Sequence, residues 1–330
     1  MLKRVQTIAP SHLISRHLSS ENLLSLVKIC SSVKSLRQIH AQMLVNYIRK
    51  PNHLLAKIID LKDFAYASLF FSQIPEPNDY AFNIMIRALT TTWHEYSLAL
   101  QFYYQMKLLG LRPNKFSYPF LFISCANLLE IDHGRAGHSS VVKLGLSSDG
   151  HTSHSLITMY ARCRELGYAR KVFDEIIEKD LVSWNSLLSG YSKMGYAREA
   201  VELFWELKDA GFEPDEMTLV SVLGACGELG DLNLGKWVEE FVVEKHMTLN
   251  SYLGSALISM YSRCGELTSA RRIFDSMTTK DVITWNAVIT GYAQNGMADE
   301  AIMLYHRIYE VLDLLYEELK REGYVPRIGE

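Results

Sequence analysis

The amino-acid sequence predicts an all-α fold, a right-handed superhelical α-solenoid of stacked helix-turn-helix repeats. The segment VFDEIIEKDLVSWNSLLSGYSKMG begins at Val172 and returns 101 residues later as IFDSMTTKDVITWNAVITGYAQNG, which begins at Ile273. This period divides into units of 35, 35 and 31 residues. Each unit carries two segments with apolar residues at helical spacing, and such helix pairs bury both apolar faces only by stacking on their neighbours.

The repeat register predicts the order of segments along the chain. Degenerate repeats occupy 21–78, an incomplete repeat occupies 282–304, and a helical tail occupies 305–330. The six complete repeats lie between them, at 79–114, 115–149, 150–180, 181–215, 216–250 and 251–281. A worn copy of the repeated segment, FFSQIPEPNDYAFNIMI from Phe70, marks the start of this series.

The repeat at 181–215 shows why each unit is predicted to contain two helices. A first helix from Ser183 to Met194 is followed by Gly195, a common helix stop. Gly211 and Pro214 close the second helix. Both helices carry an apolar stripe, formed by Trp184, Leu187, Leu188 and Tyr191 in the first and by Ala200, Val201, Leu203, Phe204 and Leu207 in the second.

Recurring aromatic residues and cysteines are predicted to pack rather than to bind a ligand. Trp184 and Trp285, like Phe173 and Phe274, occupy equivalent places and indicate packing between repeats. Four of the five cysteines form two pairs separated by 101 residues, Cys125 with Cys226 and Cys163 with Cys264. Equivalent places in a solenoid lie far apart, and no Cys-x-x-Cys is present. We therefore expect neither a metal site nor a disulfide framework.

Residues 1–20 differ from the rest of the chain. They are basic and serine-bearing, and no acidic residue precedes Glu21. This composition is typical of an organellar transit peptide. The spaced residues Arg4 and Arg16 favour the mitochondrion, with the chloroplast as the alternative. A basic N-terminus without a targeting role is the other interpretation.

Composition excludes several classes of function. The net charge of −3 gives no global basic signature of a nucleic-acid binder, although it permits a locally basic groove. No apolar run approaches the roughly 18–20 residues of a membrane span. His-x-Glu, Cys-x-x-Cys, phosphate-cradling glycine loops and Gly-x-Ser-x-Gly are all absent from the sequence. We therefore predict no enzyme activity, no cofactor, no metal and no small-molecule substrate.

The unit LVSWNSLLSGYSKMGYAREAVELFWELKDAGFEPD, at 181–215, closely resembles the pentatricopeptide repeat rather than the tetratricopeptide repeat. The alternation of 35, 35 and 31 residues resembles the standard, long and short repeats of the plant PLS subclass. ALISMYSRCGELTSARRIFDSM, at 256–277, is similar to the short type. The resemblance covers roughly residues 25 to 308 and implies binding of single-stranded RNA in a plant organelle, usually to select a cytidine for C-to-U editing.

The resemblance further implies that two side chains per repeat read about one base. It pairs Asn83 with Asn114 as a cytosine-leaning combination, Asn185 with Asp215 as a uracil type, and Ser255 with Asp281 as a guanine type. His154 with Asp180 has no assigned base, and Asn286 lacks an intact repeat end. The repeats at 115–149 and 216–250 offer Pro119 and Val220, which bring no side-chain hydrogen bond. Helix capping is the alternative role for Asp180, Asp215 and Asp281.

An apolar residue near the repeat start is also expected, by the same resemblance, to wedge between neighbouring bases. The wedging positions are Tyr80, Val182, Tyr252 and Ile283.

The tail YEVLDLLYEELKREGYVPRIGE resembles the start of the E-plus region of family members, without the two E motifs that precede it there, as in a truncated E/E-plus type C-terminus. A single helix is predicted from Ala298 to Glu322. Its apolar side carries Ile302, Tyr305, Tyr309, Leu312, Leu315, Tyr316 and Leu319. This helix either caps the solenoid or docks a deaminase-bearing partner in trans.

Three functions follow from these expectations. The first is an RNA-binding specificity factor for organellar C-to-U editing, with catalysis supplied in trans. The second is a factor for organellar RNA stability, splicing or processing that uses the same groove. The third is a protein-interaction solenoid without an RNA target, for which the paired Asn, Ser and Asp residues have no purpose.

Overall fold

The computed structural model describes the backbone of residues 20–321 and the side chains of that range except those of 309–320. Within this range the chain forms eighteen α-helices and no β-strand, which confirms the predicted all-α class of stacked helical repeats. The predicted transit peptide and residues 322–330 of the tail lie outside the described residues. Among the helices described, none has the length and apolar character needed to cross a membrane.

The chain divides into two compact units, 1–146 and 147–330. The first unit has four helix pairs in its described part: α1 (Ser20–Ile29) with α2 (Val33–Val45), α3 (Pro51–Asp60) with α4 (Phe64–Ser72), α5 (Asp79–Thr91) with α6 (Tyr96–Leu108), and α7 (Tyr118–Leu128) with α8 (Ile131–Lys143). The first helix of each pair packs on its own partner and on the first helix of the next pair.

The second unit continues the same arrangement with five helix pairs. They are α9 (Gly150–Arg162) with α10 (Leu166–Glu175), α11 (Leu181–Lys193) with α12 (Ala197–Asp209), α13 (Glu216–Leu229) with α14 (Leu232–Glu244), α15 (Ser251–Arg263) with α16 (Leu267–Ser276), and α17 (Val282–Gln294) with α18 (Ala298–Arg321). Helices α9, α11, α13, α15 and α17 pack successively on one another. We call the exposed side of the odd-numbered helices within each unit the first-helix surface.

The helices of the repeat at 181–215 lie close to their predicted positions. Gly195 and Gly211 follow α11 and α12 with φ angles of 79° and 83°, a left-handed conformation that glycine adopts at little cost. The predicted stripes of both helices are buried, except that Val201 is only half-buried. Helical periodicity and glycine stops were therefore sufficient to place these elements.

The repeated aromatic residues pack between repeats, as predicted. The rings of Phe173 and Trp184 meet edge to face with centroids 4.7 Å apart, and those of Phe274 and Trp285 do so at 4.8 Å. Each contact joins the second helix of one repeat to the first helix of the next. Edge-to-face aromatic pairs of this kind typically contribute about 0.5–1.5 kcal/mol beyond their buried area.

Small residues allow neighbouring first helices to approach closely. A Cβ atom added at Gly190 would lie 2.6 Å from the Cβ of Ala161, and one added at Gly291 would lie 2.2 Å from Oγ of Ser262. The α9–α11 and α15–α17 contacts therefore have no room for a larger residue at these two places. This close approach fixes the spacing between successive positions on the first-helix surface.

Helix α18 ends within one residue of its predicted end. The side of it that packs on α17 is not the predicted apolar side. Ala301 and Leu304 are buried, and they lie on the side of α18 that contacts α17. Ile302 and Tyr305, the first two members of the predicted apolar stripe, are 54% and 50% exposed. The remaining members of the stripe fall among the side chains that are not described.

Candidate nucleic-acid interface

The aspartates at the repeat ends are N-caps of the following first helices. Oδ1 of Asp180, Asp215 and Asp281 accepts the backbone N–H three residues later, at 2.8, 2.9 and 3.0 Å. Such caps are typically worth about 1 kcal/mol. Capping is therefore one role of these residues, and the question is whether their carboxylates also reach the side chains with which the sequence pairs them.

Asp215 does reach Asn185. Nδ2 of Asn185, on α11, donates to both carboxylate oxygens of Asp215, at 2.9 and 3.1 Å. The hydroxyl of Thr218, the third residue of α13, donates to Oδ1 of Asn185 at 2.7 Å and is fully buried. The amide of Asn185 is therefore held at both ends, by a carboxylate on its nitrogen and a hydroxyl on its oxygen.

This arrangement leaves a defined hydrogen-bonding capacity for a ligand. An asparagine amide has two N–H donors and two acceptor lone pairs. The contact with Thr218 uses one lone pair of Asn185, and the two oxygens of Asp215 accept from the same nitrogen. Two acceptors on one carboxylate can share a single N–H, and in that arrangement one N–H and one lone pair of this half-buried amide stay available. A neighbouring donor and acceptor in one plane match the Watson–Crick edge of a pyrimidine.

The repeat at 79–114 builds a similar site from two amides. Nδ2 of Asn83 donates to Oδ1 of Asn114 at 3.3 Å, and the hydroxyl of Ser117 donates to Oδ1 of Asn83 at 2.6 Å. Asn114 is oriented in turn, because its Oδ1 accepts the N–H of Phe116 and its Nδ2 reaches the carboxylate of Asp79. Ser117 follows Asn114 by three residues, as Thr218 follows Asp215, so the supporting hydroxyl recurs at the same repeat position.

His154 and Asp180 also meet. Nε2 of His154 lies 3.0 Å from Oδ1 of Asp180. Partial burial acts to raise the pKa of Asp180, but hydrogen bonds from Ser183 and the neighbouring His154 outweigh it and hold this pKa below its usual value. The hydroxyl of Ser183 contacts only Asp180, not His154. This pair therefore presents an imidazole beside a carboxylate, without the additional hydroxyl that fixes Asn185.

Ser255 and Asp281 share the spacing of a pair but form no hydrogen bond to each other. The hydroxyl of Ser255 donates to the backbone carbonyl of Ser251 within α15, and Ser255 is 7% exposed. Backbone and side-chain hydrogen bonds around Thr284 and Ser251 lower the pKa of Asp281. Asn286, for which no pair was predicted, is exposed on α17.

The two repeats without a predicted base differ from the others for visible reasons. Pro119 is the second residue of α7, where a missing N–H costs no helical hydrogen bond, so α7 starts at Tyr118 rather than at residue 115. In the other repeat, Nδ2 of Asn250 donates to Glu216 at 2.8 Å instead of to a readout side chain. Val220, on α13, has an apolar side chain and therefore offers Asn250 no hydrogen bond.

The predicted wedging residues are all exposed on the first-helix surface. Tyr80, Val182, Tyr252 and Ile283 have exposed fractions of 50%, 55%, 66% and 50%. Single exposed apolar residues are common on proteins, but a repeated one at the start of successive helices is not explained by packing. Sequence reasoning missed two further members, Phe116 at 61% and Met217 at 55%, although each follows its repeat end by two residues as Val182 does.

Three exposed basic residues on the first-helix surface were also missed. Arg162, Lys193 and Arg263 lie in the last turns of α9, α11 and α15. Each follows the readout position of its repeat by eight residues. Eight residues are a little over two helical turns, so a readout side chain and a cation lie on the same side of each helix. This spacing was the signal that would have found them.

Other kinds of site are not found in the described part of the chain. No cluster of three or more His, Cys, Asp or Glu side chains there could hold a metal ion. The five cysteines form no disulfide, and burial raises the pKa of the Cys226 thiol to about 12, so this thiol stays protonated at physiological pH.

Comparison with known families finds the same repeat along this chain. The PPR repeat family model matches residues 179–228. A second model, described as PPR repeat, matches residues 151–181, 255–282 and 283–310.

Several curated proteins of Arabidopsis thaliana are similar over most of the chain. One pentatricopeptide repeat-containing protein is 35% identical over 288 residues, which are 86% of this chain and 57% of the relative. A second is 35% identical over 303 residues, covering 89% of this chain and 51% of the relative. A third, named as chloroplastic/mitochondrial, is 35% identical over 301 residues, covering 88% of this chain and 47% of the relative. The chain thus spans about half the length of the curated relatives it matches.

Solved structures with the same fold include the pentatricopeptide repeat protein PPR10. Its complex with an 18-nt psaJ RNA element matches 93% of this chain and 46% of that chain, with a TM-score of 0.70 and 19% sequence identity. A crystal structure of PPR10 from maize gives a TM-score of 0.64 at 18% identity, over 93% of this chain and 44% of that chain.

Proposed function

This chain is a pentatricopeptide repeat protein of the plant type, and on that premise we propose that it binds single-stranded RNA in a plant organelle. The first-helix surface takes about one nucleotide per repeat. The observation that carries this function is the amide of Asn185, which Asp215 and Thr218 hold in one orientation with a donor and an acceptor left for a base. A surface that only packs against protein has no need of an amide held in this way.

The repeats together contribute three kinds of contact to the proposed complex. The exposed apolar residues that start the first helices, such as Val182, separate neighbouring bases. The paired polar side chains meet the base edges. The cations that end the helices, such as Lys193, lie on the side where the phosphates run. This division places positive charge locally, which is how a chain with a net charge of −3 binds an anionic polymer.

The base proposed for each repeat depends on its pair of readout and repeat-end side chains. We assign a uracil to Asn185 with Asp215 and a cytosine to Asn83 with Asn114, because in both cases the repeat-end residue holds the amide in one orientation. Asn185 is half-buried, whereas Asn83 is only 8% exposed. A guanine at Ser255 is the weakest of the assignments, because its hydroxyl is turned toward its own helix.

The finer part of the proposal is that the chain selects sites for C-to-U editing, as a PLS-type protein with a truncated E-type end. A deaminase is then supplied in trans, and the exposed residues Ile302 and Met303 of α18 are the surface on which it docks. Residues 1–20 direct the chain to the mitochondrion, with the chloroplast as the alternative. The name of one relative, chloroplastic/mitochondrial, supports an organelle without choosing between the two.

The test is selection from a randomised single-stranded RNA pool by the purified chain, followed by sequencing of the retained RNA. We expect enrichment of a pyrimidine at the Asn83 position and of uracil three positions later, at the Asn185 position. Binding should fall as salt rises and should be weak for duplex RNA, whose bases are not free to be read. Retention of no RNA at low salt would contradict the proposal and would favour a protein-interaction solenoid.

A further inference from the structure

A cavity of about 300 Å³ opens in the first unit, where the second helices α2 and α4 end and α3 begins. Its walls are mostly apolar: Met43 and Leu44 come from α2, Leu54 from α3, Phe70 from α4, and Ile74 from just beyond α4. A volume of this size with apolar walls is typical of a ligand pocket. None of the readout or wedging residues lines this cavity, so it has no role in the site described above.

The cavity is present because α3 begins one helical turn late. Tyr47 and Gly145 follow equivalent second helices, and both have positive φ angles, 55° and 67°. The interval from Tyr47 to Phe71 is 24 residues, whereas that from Gly145 to Phe173, the equivalent of Phe71, is 28. The missing residues fall at the start of the first helix, since α3 has 10 residues and α9 has 13. In α9 this turn carries the fully buried Thr152, and without such a turn α3 leaves the space open.

The rim of the cavity is positively charged. Arg49 and Lys50 line it and are exposed, and no salt bridge joins either of them to another residue of the described part of the chain. His40 also lines it, but burial lowers the pKa of His40, so this ring is neutral at physiological pH. No carboxylate is among the lining residues, and Glu76, close to them in sequence, lines a separate cavity. Arg49 and Lys50 therefore stay without a counter-charge.

The sequence around the cavity extends this positive charge. No acidic residue occurs between Glu21 and Asp60, and the segment between them carries six Lys and Arg residues. Only one of the six, Arg37, has a salt bridge among the described residues, to Asp63 at 3.4 Å. Because the whole chain has a net charge of −3, this is a local concentration of positive charge. Such a field speeds the approach of an acidic partner and rejects a basic one.

Large apolar side chains beside the cavity are exposed. Leu44, which lines it, and the nearby Val45 and Tyr47 have exposed fractions of 66%, 71% and 88%. Tyr47 adopts a left-handed conformation that glycine adopts after other second helices, as at Gly145 and Gly211. This conformation is unfavourable for a bulky residue, and an exposed ring gains little packing within the chain to offset it. Exposed apolar residues grouped in this way indicate contact with a partner.

The combination of charge and apolar walls favours a polypeptide over RNA as the occupant. RNA phosphates would neutralise Arg49 and Lys50 but would leave the aliphatic walls of the cavity empty. We propose that the cavity docks an acidic segment of a partner protein, which inserts an apolar side chain into it and places carboxylates beside Arg49 and Lys50. An apolar anchor in a pocket with charges at its rim is a common arrangement at protein interfaces. The proposal does not rest on RNA binding, because no readout residue takes part in it.

The test is selection by the full-length chain from a library of random peptides displayed on phage, followed by titration of the enriched peptides. We expect enrichment of peptides in which an apolar residue is flanked by Asp and Glu. The double variant Arg49→Glu with Lys50→Glu should bind these peptides about tenfold more weakly and should instead enrich peptides that carry Lys and Arg. Lys34→Glu, exposed at the other end of α2, is the matched control and should keep the preference for acidic peptides.

A second pair of variants tests the apolar contact. Leu44→Gln should weaken binding of the enriched peptides several-fold, and replacing the apolar residue of the peptide by alanine should do the same. Because Leu44 is 66% exposed, its replacement should leave the fold intact. Leu108→Gln removes an equally exposed kind of residue, a leucine of α6 that is 87% exposed, and should not change the affinity.

The outcomes separate this inference from the proposed function. Enrichment of no peptide, or of peptides without acidic residues, would overturn the inference, as would equal binding of acidic peptides by the unmodified chain and the double variant. A double variant that loses affinity for the selected RNA but not for the peptides would also overturn it, because Arg49 and Lys50 would then serve RNA. A chain that retains no RNA but binds acidic peptides through these two residues would overturn the proposed function alone.

Discussion

The repeats at 181–215 and 251–281 carry the same kinds of element but differ in the side chain at the readout position. Both present a polar residue on the first helix, an aspartate at the repeat end, and a threonine whose hydroxyl lies within hydrogen-bond distance of that aspartate. In the first repeat Asn185 reaches Asp215 and Thr218. In the second, Ser255 reaches neither Asp281 nor Thr284 and bonds to its own helix.

The difference teaches that repeat spacing positions a backbone, whereas side-chain length decides whether a site forms. A serine hydroxyl in a helix readily donates to the carbonyl four residues earlier, and Ser255 does so. An asparagine amide is longer and satisfies its nitrogen and oxygen with separate partners. The guanine-type assignment of Ser255 with Asp281 therefore stays a prediction without a hydrogen-bonded pair to support it.

The largest expected effect comes from removing the amide. Asn185→Ala should lose the base contact, which for a good two-point contact is worth about 1–3 kcal/mol of discrimination. Because 1.4 kcal/mol is a factor of ten, affinity for the preferred RNA should fall about 5- to 150-fold. Ser255→Ala is the matched control and should change affinity much less. Equilibrium titration of labelled RNA measures both.

The next effect comes from removing the supporting hydroxyl. Thr218→Val keeps the shape of a fully buried residue but removes the hydroxyl that donates to Oδ1 of the half-buried Asn185, and the loss of such a hydrogen bond costs about 0.5–1.5 kcal/mol. Both the thermal stability and the base preference at the Asn185 position should fall. In Thr284→Val only the cap of α17 is affected, so stability alone should fall. Equal effects of the two variants on RNA binding would contradict this account.

A smaller effect should result from introducing an amide that can pair with Asp281. Ser255→Asn places a longer amide opposite Asp281, and we expect a new base preference at this position worth about 1 kcal/mol, or roughly fivefold in relative affinity. Ser259→Asn, one helical turn further along α15, is the control and should create no preference. Selection from the randomised pool with each variant shows whether a new preferred base emerges.

The smallest expected effect is the loss, at acidic pH, of the stability that the N-cap aspartates contribute. The pKa values of Asp180 and Asp281 are lowered in the folded chain. Their stabilising contribution is therefore complete above the ordinary aspartate pKa of about 4 and is lost as the pH falls through the lowered values. Asp281→Asn keeps a capping side chain but does not titrate, so its melting temperature should decline less between neutral pH and about pH 3. An identical decline would mean that Asp281 does not contribute.

The fold was predictable from the sequence because helical periodicity and glycine stops act locally. The lengths of α11 and α12 followed from Gly195 and Gly211, and the packing of Phe173 on Trp184 followed from their recurrence. The repeat register alone does not place the start of α7 at Tyr118, one residue before Pro119. On α18, Ala301 and Leu304 lie on one apolar side and Ile302 and Tyr305 on another. Helical periodicity alone does not determine which of these sides packs on α17.

From the sequence, the site was predictable as a set of repeat positions but not as a set of hydrogen bonds. The sequence pairs Asn185 with Asp215 and Ser255 with Asp281 equally, but the hydrogen bonds distinguish them. The role of Thr218 was hidden because a threonine after an N-cap is common in any helix.

The most direct test of this account uses four RNAs that differ only at the nucleotide held by the Asn185 repeat. Their affinities are measured for the unmodified chain and for Asn185→Ala under identical salt. The account predicts that the unmodified chain binds the uracil RNA most tightly and that Asn185→Ala binds all four with similar, lower affinity. Equal binding of the four RNAs by the unmodified chain, or an unchanged preference in Asn185→Ala, would contradict the claim that this oriented amide reads a base.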